Sequence, residues 1–504
     1  MTVLGSAASH DDQVSFSVTV NQYANSMGMH IAGSVGVGEW PGRIEIRVNG
    51  ARHNLRLGVT PAGERDSSTD RCFFTGAVAV PHDDETVRLE LLVTGGDGRH
   101  ICSRTVGVNL QRALSVESSQ WMVQHTPVGE GRLIVVPHRD DVGGAQWWLR
   151  EVRSAADTAG FVQDVIGTEC VGGSTPWGPA GMWGCTSDEE YTGFVRAYRR
   201  RLEASRPAVV LVNTVEGLPA AHAALELGWP VVWAIHESYG PGRLWVSTHG
   251  AAAPPDRAVR ALEECLRNAV VVFSCSAAAS LYDTYLRPDR TFVIPFHRGR
   301  EAGAAGALSR GELGLGVSDV VVLYVATIEQ RKNQVPLLEA VRRARLMCPG
   351  LRLVLAGPGE PAYTSYLRRR IAEQLPDDVV LLDAPVVSDQ LLPLADICVS
   401  TSDTESRSAW LTQALAFRKA ILAMRATGFE ELITDDVDGL LVECGNYVHF
   451  SDRLAELGSS QRLRQRLGEA AGVKDRSLSR RDWPKDVVAL IRGTAASWGA
   501  ASDV

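Results

Sequence analysis

From about residue 130 onward the sequence alternates short, continuously apolar runs with longer amphipathic stretches. This alternation limits what the chain can fold into more than any other feature. The runs RLIVVPH, FVQDVIGT, AVVLVNT, VVWAIHE, VVVFSCS and TFVIPF come first; VVVLYVAT, LRLVLAG, VVLLDA, DICVST, KAILAM and GLLVEC follow beyond residue 316. A short run of Val, Ile and Leu without polar alternation is the pattern of a strand covered on both faces, and helices between such strands supply the covers. Repeated strand–helix–strand units specify a parallel, doubly wound α/β sheet. The stretch GREAGAAGALSRGELGLG, residues 299–316, is rich in small residues and reads as a linker with a short helix. Two Rossmann-like units, 119–298 and 299–482, are therefore expected to face each other across a cleft. Ligands of such sheets bind beyond the carboxyl ends of the strands, so the residues just after each run are the candidates for chemistry.

Residues 1–118 follow a different rule. Runs such as VSFSVTV, RIEIRVNG, CFFTGAVAV and TVRLELLVTG alternate, with Gly, Asn and Asp between them. About seven short strands at this spacing predict a β-sandwich-like accessory domain. No catalytic cluster falls in it; binding carbohydrate, mediating homo-oligomer assembly and shielding the next domain all stay open as its role. Residues 483–504 read as one more helix.

Composition narrows the function. With 45% hydrophobic and 22% charged residues and a net charge of −8, the chain is an ordinary globular protein and no general nucleic-acid binder. No run of about 18 uncharged apolar residues suggests a membrane span. The first residues, MTVLGSAASHDDQ, lack the basic and apolar regions of a signal peptide. Nine dispersed cysteines with no CxxC fit a reducing cytoplasm and no structural zinc. Cys72 and Cys102 share the first domain, where two buried thiols are expected rather than a disulfide. No acidic pair or His/Asp spacing suggests a metal, and no cofactor is expected.

The stretch ESRSAWLTQALAFRKAI, Glu405–Ile421, lies between two strand-like runs and reads as a turn followed by a helix, with Trp410, Leu411, Leu415 and Ala416 at helical spacing. Glu405 and Gln413, eight residues apart, could hold two ends of one ligand at that helix's start, where backbone N–H groups lack internal partners. This resembles the donor-site signature of retaining glycosyltransferases of the GT-B fold, family four: Glu, seven residues, Glu, then Ala, an apolar residue and Ala. Here the second Glu is Gln413, and the usual Phe-Gly after the first is Ser406-Arg407. Four further landmarks occur in the family's order: GGA at 143–145, AIHE at 234–237, FSCS at 273–276 and TIEQRKNQ at 327–334. The resemblance covers residues 130 to about 497.

The resemblance implies transfer of a hexose from a nucleotide sugar, with UDP the expected carrier, to an unknown small-molecule, glycan, lipid or protein acceptor, with retention of anomeric configuration and without a metal. It implies that Lys332 grips the donor diphosphate, that Glu405 lies close to the sugar hydroxyls and that His236 contacts the transferred sugar. Cleavage leaves new charge on the β-phosphate, and a fixed cation there stabilises the transition state more than the ground state. The family's Arg falls at Thr327, and Arg331 is the candidate to replace it. Gln413 would bond a ribose hydroxyl or sit on a solvated helix face. Gly143 and Gly144 would admit phosphate or acceptor close to the backbone. Gly357 and Val386, with Ser406 and Arg407, complete the donor-side candidates, and Glu237 would orient His236 or bind acceptor. The tail is expected to cross back to the first α/β unit. Arg196, Arg199, Arg200, Arg201 and Arg206 form either a solvated helix or a weak peripheral membrane contact. A catalytically degenerate GT-B scaffold, and a phosphorylase or hydrolase on the same fold, are the alternative functions.

Overall fold

The structure, a computed structural model, describes residues 131–137, 143–167, 185–242, 244, 254–300, 308–359, 361–384 and 388–500, together with the backbone of eight strands between residues 2 and 109. Val386 and the side chains of Cys72 and Cys102 lie outside the described residues. The eight strands pair, all antiparallel, into two four-stranded sheets: Thr2–Ser6, Val14–Tyr23, Ser26–Gly36 and Arg71–Val80 in one, and Ala51–Asn54, Pro41–Val48, Thr86–Gly95 and His100–Asn109 in the other.

Two six-stranded parallel sheets follow. In the first the spatial order is Val162–Val165, Arg132–Val136, Val209–Asn213, Val231–Ile235, Val270–Phe273 and Thr291–Val293. In the second it is Val379–Leu382, Leu351–Ala356, Val320–Val325, Ile397–Ser400, Ala420–Met424 and Leu440–Val442. In both, the chain winds outward from the first strand in one direction, then returns to its other side and winds outward the opposite way. Each sheet thus has one switch point, a crevice beside its first strand, where a ligand can enter between diverging loops.

The central strands are buried along their whole length because both faces are covered. One side of the first sheet packs Val210, Val212, Trp233 and Ile235 against the helices Asp188–Ser205, Leu218–Glu226 and Asp256–Asn268. The other packs Leu133, Val135, Leu211 and Val232 against the helix Gly144–Thr158 and against Trp483, Val487, Val488 and Ile491. Those last residues belong to the helix Trp483–Ala500, which therefore leaves the second unit and completes the core of the first. Its indole Trp498 Nε1 donates to the Gly228 carbonyl at 2.8 Å, and Trp483 Nε1 to the His297 carbonyl at 3.0 Å.

The basic stretch lies on the helix Asp188–Ser205, which buries Tyr191, Val195, Tyr198 and Leu202 and leaves Arg200 and Arg201 exposed. Arg199 is paired with Glu203 at 3.0 Å. No helix among the described residues is long and apolar enough to cross a membrane.

Candidate active site

The two switch points open onto one cleft of about 1060 Å³. On the second unit its floor is set by two loops whose strands are neighbours, Val320–Val325 and Ile397–Ser400. The loop after the first strand tightens into one 3₁₀ turn, Gln330–Lys332, and then reverses at Asn333, whose φ is +56°. Asn tolerates this left-handed conformation better than most residues. Its side chain is buried and donates to the Thr401 carbonyl at 3.0 Å and to Asp403 Oδ1 at 2.5 Å, which locks the two loops together. Tyr324 reinforces the lock through its hydroxyl, 3.2 Å from the Lys332 carbonyl and 3.0 Å from Ser402 Oγ.

This framing brings Lys332 onto Glu405, 73 residues on, in a direct Nζ–Oε1 ion pair. Arg331 stands on the same carboxylate at 3.5 Å, on the Thr404 carbonyl at 3.1 Å and on Glu329 at 2.7 Å. Burial alone would raise the Glu405 carboxyl, but Lys332 and Arg331 outweigh it and hold its pKa below the ordinary value. Burial likewise opposes the charge of Arg331, and Glu329 and Glu405 overcome it. The result is a compact quartet of two cations and two carboxylates at the carboxyl end of the sheet. Thr327 lines the cleft beside it, and its carbonyl accepts from Gln334 Nε2 at 2.8 Å.

The first unit adds Arg150, Glu216, Glu237 and Arg298 to the cleft lining. Gly143 and Gly144 lie at the start of the helix Gly144–Thr158, and a Cβ built on either would meet nothing within 4 Å. Gly143 has φ 179°, an extended backbone open to any residue, so what glycine provides there is free volume in the cleft. His236 follows the strand Val231–Ile235. Its Nε2 lies 3.0 Å from Asn213 Oδ1, and its ring packs edge-on against Trp148 at 5.0 Å between centroids. Glu237 turns its carboxylate back onto the backbone N–H of Val215 at 3.2 Å and of His236 at 3.1 Å. Burial pushes its pKa up to about 7 against those bonds. It positions the loop carrying His236.

As expected from the sequence, Glu405 lies before the helix of its segment, which spans Ala409–Ala416, with Ser408 capping the Leu411 N–H at 3.3 Å. Other sequence readings change here. Gln413 is fully buried and is not on a solvated face. Its Oε1 accepts from Ser388 Oγ and its Nε2 donates to Asp389 Oδ1 at 2.5 Å, although it still lines the cleft. Ser406 and Arg407, read as donor-binding, direct polar groups onto the first unit. Ser406 Oγ donates to the His236 carbonyl at 2.7 Å, and Arg407 Nε donates to the Phe296 carbonyl. Both clasp the two units, and Arg407 Nη2 is buried with no hydrogen-bond partner among the described residues. Gly357 lines the cleft but is also required by the backbone: its φ is +145° and a Cβ would stand 2.2 Å from the Ala326 carbonyl oxygen. The FSCS landmark serves the clasp too. Ser276 and Ala277 give their backbone N–H groups to Glu431 of the second unit at 3.0 and 2.7 Å. Glu329, Asn213, Ser388, Asp389 and Glu431 had no signal in sequence beyond being polar residues near strand ends.

Two α/β units of this topology, facing one cleft, define the GT-B class. Residues 308–473 match the family described as glycosyl transferases group 1, so the chain carries a domain of that group. A putative glycosyltransferase EpsD of Bacillus subtilis is 29% identical over 162 residues, 32% of this chain and 42% of that protein. A D-inositol 3-phosphate glycosyltransferase of Thermobifida fusca is 25% identical over 298 residues, 56% of this chain and 68% of that protein. Among solved structures, sucrose-phosphate synthase from Thermosynechococcus elongatus superposes with a TM-score of 0.60 at 16% identity, over 73% of this chain and 100% of that one. Anabaena Alr3699/HepE in complex with UDP and glucose gives 0.56 at 17% identity, with the same coverage. At such identities the structural likeness establishes the fold.

Proposed function

We propose that the protein is a retaining hexosyltransferase that uses a nucleotide sugar, with UDP as the carrier, and that the cleft works without a metal. The observation that carries this reading is the Arg331–Lys332–Glu405 cluster at the second unit's switch point, facing the free volume over Gly143-Gly144 across the cleft. Two fixed cations at a switch point suit a diphosphate. A solved structural neighbour holds UDP-glucose, which supports the choice of donor.

In this reading the bond between the anomeric carbon and the β-phosphate oxygen breaks as the acceptor oxygen attacks from the same face. The acceptor's proton passes to the departing phosphate, and Lys332 and Arg331 neutralise the charge that grows there. The interaction is already assembled before reaction, so little reorganisation is needed at the moment of bond cleavage. Glu405 stays ionised between its two cations and accepts hydrogen bonds from the sugar hydroxyls. His236, fixed by Asn213, Trp148 and the Glu237-braced loop, contacts the sugar from the opposite wall. Arg331 supplies the cation that Thr327 does not. Residues 1–118 act as an accessory module outside the donor site, and the protein works in the cytoplasm.

A thermal-shift series with UDP, GDP, ADP and dTDP tests the reading, because a ligand that binds only the native state raises its melting temperature by mass action. UDP should give the largest shift, and Lys332→Ala should abolish it. An equal absence of shift with all four would remove the nucleotide-sugar assignment.

A further inference from the structure

The cleft is not the only basic cavity. A second one, of about 660 Å³, opens on the far side of the helix Ala409–Ala416, between that helix's end, the start of the linker and the helix Gln461–Leu478. Arg300, Arg418 and Arg476 line it, from three separate segments of the chain. Among the described residues none of the three is paired with a carboxylate.

Two of the three are held in place. Arg300 donates from Nε to the Ala416 carbonyl at 3.0 Å and lies over the Phe417 ring at 4.4 Å. Arg418 has a left-handed backbone, φ +53°, and its stem runs over Gly472, where a Cβ would stand 2.8 Å from Arg418 Cγ. Among the described residues the one carboxylate on the cavity wall, Asp475, is turned to His297 at 2.9 Å. The wall also carries the Ser479 hydroxyl, which donates to the Asp475 carbonyl at 2.8 Å.

We propose that this cavity is a binding site for a small phosphate-bearing anion, separate from the donor cleft. Arg300 and Arg418 present guanidinium groups that are already ordered, so binding a doubly charged oxyanion loses little further side-chain entropy, and Arg476 closes the third side. The site lies beside both crossings between the α/β units. Gly299 and Arg300 begin the linker, and Asp475 holds His297, whose carbonyl receives the indole of Trp483 at the start of the returning helix. An anion bound there ties the linker to the second unit and so reaches the geometry of the cleft.

The experiment is calorimetric titration of the full-length protein with inorganic phosphate and, separately, with a hexose monophosphate, in wild type and in three variants. Arg476→Ala and Arg300→Ala should each weaken binding about tenfold or more, the scale of one lost charge-assisted contact, and Arg476→Ala should leave the melting temperature unchanged. Lys332→Ala, which disables the donor cleft, should leave it unchanged. Equal affinity for the two probes identifies free phosphate as the ligand, and tighter binding of the ester identifies a phosphate monoester. Failure of both probes to bind wild type, or binding that is lost in Lys332→Ala and kept in Arg476→Ala, overturns the proposal. The donor reading is judged independently by nucleotide titration.

Discussion

The two α/β units share a strand order and differ almost completely in what they place at the ends of their strands. The second unit ends its central strands in charge: Glu329, Arg331, Lys332 and Glu405 within one hydrogen-bonded group. The first ends its strands in space and isolated polar groups: Gly143, Gly144, Asn213, His236 and the backbone-bound Glu237, with Arg150, Glu216 and Arg298 further along the wall. Topology therefore fixes where a ligand goes, and the loops fix what kind of ligand each wall can receive. A diphosphate needs fixed cations, whereas a transferred sugar and a variable acceptor need room and a few oriented hydrogen bonds.

The sharpest way to break this comparison is to remove the charge from the second wall. Lys332→Ala should lower kcat by about 10²- to 10³-fold, the scale of losing one electrostatic contact made chiefly in the transition state, with the fold kept. Steady-state kinetics of nucleotide release, with circular dichroism as the fold control, decides it; normal turnover would remove Lys332 from the chemistry.

A second test puts extra charge at the same wall. From the signature alone, Gln413→Glu would be expected to keep or strengthen nucleotide binding. The structure adds a cost in stability, because Gln413 is fully buried and donates to the Asp389 carboxylate. Two carboxylates there cannot both ionise, so one must hold a proton. The variant should lose roughly 2–4 kcal/mol at pH 7. A carboxyl whose folded pKa is raised favours the folded state below its unfolded pKa and loses that contribution as pH rises, so the variant should recover stability toward pH 4. Denaturant melts at pH 4 and pH 7 measure this, and a variant as stable as wild type at pH 7 would contradict the buried pairing.

The first wall carries a smaller electrostatic signature. Glu237, with its pKa pushed up to about 7 by burial, binds its proton more tightly folded than unfolded. Its contribution is fully present below about pH 4.5, the ordinary value for a glutamate, and disappears as pH rises through about 7. Glu237→Gln should flatten wild type's pH dependence in that window, read as the difference between the two stability profiles. Parallel profiles would show that Glu237 ionises normally.

The smallest expected effect tests the free volume. Gly143→Val should leave stability within about 0.5 kcal/mol, as for a surface substitution, because the backbone is extended and a Cβ meets nothing. It should nevertheless raise KM for donor or acceptor. An unchanged KM would mean that the ligand passes elsewhere.

These contrasts also mark what could be read from sequence. Lys332 and Glu405 were legible because each follows a buried run at the center of the same sheet, and a doubly wound order brings those two strand ends together. The glycines at 143 and 144 were legible for the same reason. What Gln413, Ser406 and Arg407 already hold was not legible, because their partners, Asp389, the His236 carbonyl and the Phe296 carbonyl, are supplied by other loops or by the other unit, although all three also line the cleft. A residue's spacing in a motif says which way it faces, and only packing says what has already claimed its hydrogen bonds. Arg407 is the clearest case: a residue on the cleft wall that also ties the two walls together.

The returning helix Trp483–Ala500 has a mechanical consequence. The chain passes between the units twice, once after His297 and once before Trp483, and these two passages are tied by the Trp483 indole on the His297 carbonyl. Two adjacent tethers behave as a pair of pins: they leave rotation about the line joining them as the easy motion and resist sliding and twisting. Opening of the cleft is then a swing, in which the Arg407–Phe296 contact beside the pins persists while the Ser406–His236 and Glu431 contacts must part. For the same reason a single proteolytic cut in the linker would not separate the halves, since the second pin, with Val487, Val488 and Ile491 set into the first unit's core, would still hold them.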